Sequence, residues 1–339
     1  MKGTILTALA AGAVVLAGCA KIETTEVPEG RVIGFDNFVT NAVKSIDNAE
    51  ELTTFFVYGG PATAYTNFDG VEVTKIADVY EYNPAQYWDE GATYQFAAYS
   101  DENAKIADNV SFVTDEGDNQ YHLKIGGYTT DGSKDLVYAY ASDIQYATNS
   151  GTVTMDFRHI LSKIIFRFSK NETLNGSTIT ISDVEIVSAK NSGDFTGKDV
   201  TGNQYDYTCW NNQYGTEKFS FDFASASKLT DQARSLDTNP ELLIPQQTGP
   251  TLLQVKFTLD PSGTIANAPH NKTAETFTVD LPSVSKDHWN PGYVYVYSAV
   301  ISAENFDLKP IVFDVSMTKW ENETVAGSDI LLDDAKPTV

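Results

Sequence analysis

The reactive side chains are few and scattered. The four histidines, His122, His159, His270 and His288, never fall in the His-x-x-x-His or Glu-x-x-His spacings that let one element present two ligands to a metal, and no Cys-x-x-Cys occurs. Cys209 stands between Thr208 and Trp210 with no histidine near it in sequence, and reads as a small, partly buried side chain rather than a nucleophile. Asp101-Glu102-Asn103 and Asp115-Glu116-Gly117-Asp118-Asn119 offer hard oxygens, yet neither has the spacing of a calcium loop, so both read as solvated loops. There is no Gly-x-Ser-x-Gly elbow, P-loop or dinucleotide fingerprint. A carboxylate pair for glycoside hydrolysis is a matter of distance in space, and nothing in the sequence selects one. The expectation is a protein that is not an enzyme and carries no cofactor or metal. Tyr80, Tyr82, Tyr87 and Trp88, around Pro84, have faces that can stack on sugar rings, although such residues are equally ordinary in strands.

The other cysteine has a clearer chemistry. Lys2 is followed by an apolar run from Ile5 to Leu16, too short to cross a bilayer as a helix and typical of a signal peptide. It closes on Leu16-Ala17-Gly18-Cys19, which resembles the lipobox of bacterial lipoproteins. That resemblance implies cleavage ahead of Cys19, lipid on its thiol, and an outer-membrane location at the cell surface. More than one acyl chain makes such attachment lasting. With Cys19 modified, only Cys209 remains and no intrachain disulfide can form, so stability must come from packing. The formal charge of −23 becomes −24 once residues 1–18 and their single charge, Lys2, are removed. Such a surface repels nucleic acid and anionic lipid, which leaves the acyl chains as the membrane contact.

The elements around these residues are strands. Leu253, Val255, Phe257 and Leu259 alternate with Gln254, Lys256 and Thr258. The same period of two appears at Phe219, Phe221 and Phe223, at Phe277, Val279 and Leu281, at Tyr293, Tyr295 and Tyr297, and at Ile311, Phe313, Val315 and Met317. Turns are expected at Asp69-Gly70, Gly126-Gly127, Asp131-Gly132, Asn149-Ser150-Gly151 and Pro261-Ser262-Gly263. One short helix is suggested by Val43, Ile46, Ala49 and Leu52. Between Val153, Met155, Phe157 and Ile164, Phe166, Phe168 the apolar parity reverses, which requires a bulge or a change of sheet between Arg158 and Lys163. His159 sits at that reversal and reads as a polar group satisfied there. Signal peptide 1–18, linker 19–30, two sandwiches at 31–150 and 151–325, and a tail at 326–339 are the expected divisions.

An ordered set of motifs adds a resemblance. Tyr87-Trp88, Tyr94-Gln95-Phe96-Ala97-Ala98-Tyr99, Asp135-Leu136-Val137-Tyr138-Ala139, Phe157-Arg158-His159-Ile160-Leu161-Ser162-Lys163, Leu242-Leu243-Ile244-Pro245-Gln246 and Trp289-Asn290-Pro291-Gly292-Tyr293 follow one another. With the strand Ile311 to Met317 ending near Trp320, this looks like the fimbrillin-like (Mfa-like) family of Bacteroidales type V pili. The resemblance implies an all-β fold of two transthyretin-like antiparallel β-sandwich domains in tandem, and a fimbrial or adhesive role. It also implies maturation by an Arg-directed protease that removes the first strand, whose groove then receives a strand from another pilin subunit. Val32, Ile33, Phe35 and Phe38 are the candidate groove strand. Its flanks depart from the pattern: Lys44 is the only basic residue shortly after it, and Arg31 precedes it. The expectation is therefore an anchor or accessory subunit that keeps its lipid and first strand. Ile330-Leu331-Leu332 in the tail is an apolar patch available for donation. The competing reading is a surface glycan-binding lipoprotein of a polysaccharide-uptake system; a host molecule or glycan is a further partner under either.

Overall fold

The computed structural model describes residues 31–39, 52–62, 67–106, 108–114, 120–149, 151–197, 206–223, 226–230, 236–262, 273–284, 287–307 and 309–320. Strands dominate, as the period-two patterns predict. The first ten are β1 (Gly34–Val39), β2 (Thr54–Pro61), β3 (Phe68–Ile76), β4 (Val79–Glu81), β5 (Tyr94–Asp101), β6 (Val110–Thr114), β7 (Tyr121–Thr129), β8 (Leu136–Ile144), β9 (Thr152–His159) and β10 (Ser162–Lys170). The rest are β11 (Thr178–Ala189), β12 (Ser192–Thr196), β13 (Trp210–Tyr214), β14 (Glu217–Ser220), β15 (Leu236–Asp237), β16 (Glu241–Leu243), β17 (Gln254–Ser262), β18 (Glu275–Asp280), β19 (Tyr293–Ile301) and β20 (Phe313–Lys319). A single α-helical turn, α1 (Tyr146–Asn149), occurs among the described residues. No helix there is long and apolar enough to cross a membrane.

Four sheets result. A seven-stranded sheet runs in the order β1-β9-β8-β5-β2-β3-β4. It curls until its two edge strands, β1 and β4, lie against each other. Phe55, Val57, Phe68, Phe96, Val137, Val153 and Phe157 fill the space inside the curl. Its central strands are buried on both faces, which is why β2 and β5 read as nearly continuous apolar runs rather than alternating ones. Phe56, Tyr58, Tyr99 and Tyr138 point outward from the curl, against a four-stranded sheet in the order β13-β12-β7-β6. The remaining sheets, β15-β10-β19-β20 with β16 beside β10, and β14-β11-β17-β18, face each other over a core of Ile164, Phe166, Phe168, Ile181, Val255, Phe257, Tyr297 and Phe313.

The parity reversal marks a change of sheet. β9 belongs to the curled sheet and β10 to the five-stranded one, with Ile160 and Leu161 between them. A division at residue 150 falls ahead of β9, and the four-stranded sheet takes β6 and β7 from one side of that position and β12 and β13 from the other.

Two sequence expectations are corrected. The sheets are not wholly antiparallel: β1 pairs β9 in parallel and β10 pairs β19 in parallel. Parallel neighbours require long crossovers, so no hairpin turn in the sequence announces them. Asp69-Gly70 and Gly126-Gly127 are not turns either, but lie inside β3 and β7, where the register shifts. Gly70 and Gly127 have φ of 67° and 63°, and a glycine in this left-handed conformation is the usual means of seating an extra residue in a strand. The helix expected over Val43 to Leu52 falls, apart from Leu52, outside the described residues; Leu52 itself is buried in irregular chain.

Candidate functional site

The site that the fold isolates is the seat of β1. Ile33, Phe35 and Asn37 share one face of this strand, and the first two are 0% and 5% exposed. Phe35 meets four rings edge-on: Phe68 at 5.3 Å, Phe96 at 5.4 Å, Tyr82 at 5.7 Å and Phe55 at 6.4 Å between centroids. Edge-to-face contacts of this kind add to the burial of the ring itself. Val32, next to Ile33, must take the opposite face and is 44% exposed, so it is not a groove residue. Phe38 lies in β1, but its side chain is outside the described ones.

Both edges of the strand are held. On one side β1 pairs with β9 from Gly34 opposite Thr152 to Val39 opposite Phe157. On the other, Ile33 donates its N–H to Gln86 O at 2.9 Å, and Trp88 donates to Arg31 O at 2.8 Å. Tyr82 Oη donates to Ile33 O at 2.7 Å. Asn37 Nδ2 donates to Tyr80 Oη at 2.6 Å, while that hydroxyl donates to Leu52 O. Burial, with Asp36 nearby, pushes the Tyr80 phenol up to about 12, and burial raises Tyr82 as well. Both hydroxyls therefore remain protonated donors at neutral pH. β1 is thus the stave that closes the curled sheet, contributed by a short segment otherwise remote in sequence.

The residues flanking the strand divide by position. Arg31 is paired with Glu90 at 3.4 Å and lies over the Tyr146 ring at 5.9 Å, and its carbonyl is the acceptor for Trp88 just described. Cys19, Lys44 and Ile330-Leu331-Leu332 lie outside the described residues.

The aromatics considered for sugar stacking mostly wall this seat. Tyr80 and Trp88 are 9% and 4% exposed, Tyr82 packs on Phe35 and Phe68, and Tyr87 alone of the four is an exposed side chain. Trp88 stands edge-on to Tyr94 at 4.7 Å and donates its Nε1 to Gly151 O at 3.3 Å.

His159 is satisfied on one side only: its Nδ1 lies 2.7 Å from Asp135 Oδ2, both side chains being buried, while its Nε2 is buried without a hydrogen-bond partner among the described residues. Its ring stacks on Trp320 at 4.0 Å and 4°, and Lys163 Nζ lies 5.2 Å from the other aromatic's centre. This stack ties the end of β9 to β10 and to the residue after β20. Sequence reasoning missed Asp135 as the partner, because the two are 24 positions apart. Asp101-Glu102-Asn103 forms a partly exposed corner with Glu102 in solvent: Asn103 Oδ1 accepts the N–H groups of Thr53 and Thr54, and Asp101 accepts from Tyr128. The cluster at 115–119 is outside the described residues. Cys209 is buried beside Trp210. Among the described residues no group of three or more His, Cys, Asp or Glu side chains is placed to hold a metal.

A family model described as fimbrillin-like matches residues 40–320, beginning at the residue after β1. Among solved structures, a fimbrial protein from Bacteroides vulgatus aligns over 86% of this chain and 99% of its own, with 15% identity and a TM-score of 0.54. A fimbrial assembly protein from Parabacteroides distasonis aligns over 84% and 99%, with 12% identity and a TM-score of 0.41. At these identities the first of them bears on the fold alone. No curated protein sequence matches the chain.

Proposed function

The chain belongs to the fimbrillin-like family, and from that premise we propose that it is a cell-surface fimbrial subunit contributing to adhesion, joined to other subunits by exchange of the strand in the β1 seat. The observation that carries this reading is that one short strand, held on both edges, closes an aromatic core built otherwise from residues 52 onward. Removing it exposes an apolar floor and the unpaired edge of β9, with Gln86 O and Trp88 N–H also released, which is a template for another strand. The fimbrillin-like family is one of structural and adhesive proteins, which supports this reading over an enzymatic one. Lipid on Cys19 holds the precursor at the outer membrane.

Arg31 and Lys44 have opposite consequences as cleavage sites. A cut after Arg31 frees the lipid and leaves the seat filled; its carbonyl is engaged by Trp88, which opposes the extended conformation that a protease needs. Cutting after Lys44 releases β1 together with the lipid and opens the seat. We assign maturation to Lys44, which calls for a Lys-directed protease in place of the Arg-directed one that the resemblance implies, and which replaces the expectation that the first strand is kept. A subunit that escapes this cut stays lipid-held with β1 in place, and serves as an anchor or accessory subunit. Antibody labelling of isolated surface fibres in the electron microscope tests the subunit assignment: label distributed on fibres is expected, and label confined to the membrane with bare fibres would overturn it.

A further inference from the structure

The β1 seat also specifies the strand that it accepts. This rests on the strand-exchange reading above. Three inward positions and one outward position carry the specificity. At the Ile33 position the pocket is apolar and closed. The Phe35 position is ringed by Phe55, Phe68, Tyr82 and Phe96, so a side chain without a ring leaves four edges without their partner. At the Asn37 position the neighbours are Tyr80 Oη and Leu52 O, at 2.6 and 3.4 Å, so a side-chain N–H is wanted there. On the outward face, a Cβ at Gly34 would stand 3.3 Å from Thr152 Oγ1 and 3.4 Å from Gly151 O, which favours a small residue.

We propose that the seat selects a strand running parallel to β9 with the pattern aliphatic, small, aromatic, any residue, Asn or Gln, and that it discriminates against the aliphatic run Ile330-Leu331-Leu332. With Ile330 at the Ile33 position, that run puts Leu331 where the seat wants a small residue and Leu332 where it wants a ring. A copy of it leaves the aromatic ring of four without its centre.

The test uses the full chain with one engineered protease site between Val39 and Leu52, cut after purification so that β1 stays bound without a covalent link. Three fluorescent peptides compete for the seat: a copy of residues 31–39, the same copy with Phe35→Ala, and a copy of residues 328–336, which sets Ile330 at the Ile33 position. Displacement of β1 is read by fluorescence anisotropy and native mass spectrometry. The first peptide is expected to enter, with the other two weaker by on the order of a hundredfold or more. Equal entry by all three, or entry of the tail copy as tight as the first, would overturn the selectivity and leave strand exchange standing. Failure of the first peptide to enter would overturn strand exchange, and the selectivity with it.

Discussion

Truncating Phe35 is the sharpest perturbation of the β1 seat. The ring is 5% exposed and lies against Phe55, Phe68, Tyr82 and Phe96, all at edge-on geometry. Phe→Ala in such a setting costs about 3–5 kcal/mol, the lost transfer energy plus the cavity left behind. Because β1 is a terminal stave, the loss falls first on local opening of the strand rather than on global unfolding. At about 1.4 kcal/mol per tenfold, Phe35→Ala should speed amide exchange in Gly34–Val39 by roughly two to three and a half orders of magnitude. The facing residues of β9, Thr152 to Phe157, should lose protection together with it, since they share its ladder. Val32→Ala, at an exposed position, is the control and should change exchange by less than about threefold. Hydrogen exchange read by mass spectrometry on the intact chain reports both. If Phe35→Ala leaves protection of β1 within the range of the Val32 control, the ring does not hold the strand and the account of the seat is wrong.

Three further outcomes are expected. Tyr80, Tyr99 and Tyr295 are all pushed up to about 12, burial being the largest cause in each. A folded value above the ordinary 10.0 means that their neutral forms stabilise the fold fully below pH 10 and that this is lost as the pH rises through about 12. Near-ultraviolet circular dichroism should therefore collapse in that window together with the rise of phenolate absorbance; full phenolate formation with intact dichroism would contradict it. Trp320→Ala removes a fully buried ring stacked on His159 and should lower stability by about 3–5 kcal/mol in chemical denaturation, whereas Met317→Ala, 39% exposed, should cost less than about 1 kcal/mol. Equal effects would show that the stack does not join β9 to the end of β20. Cys19→Ala should move the protein from the detergent phase to the aqueous phase, with salt washing unable to release the unsubstituted form; a variant still held on membranes would refute lipid anchoring.

Much of the fold was readable from residue order. Alternation located β17, β19 and β20, and the parity reversal around His159 marked the passage from the curled sheet to the next. Local chemistry suffices for such features, because a strand with one buried face writes its period into the sequence. The doubly buried β2 and β5 hide that period, and the parallel pairings of β1 and β10 leave no turn to read. At the seat, Ile33 and Phe35 were legible as an alternating pair. The hydroxyl clamps were not: Tyr82 reaches Ile33 across 49 positions and Tyr80 reaches Asn37 across 43, so only the folded chain brings them together. Gly70 and Gly127 misled because a left-handed glycine serves a bulge as well as a turn.

Strand exchange requires that β1 leave its seat in the assembled fibre. Mass spectrometry of the N-terminal peptide of this protein, recovered from isolated surface fibres, measures that directly. A start at Ser45, after Lys44, is the predicted result. A start at Cys19 or Val32 in all of the fibre-derived protein would keep β1 in place and contradict strand exchange at this site.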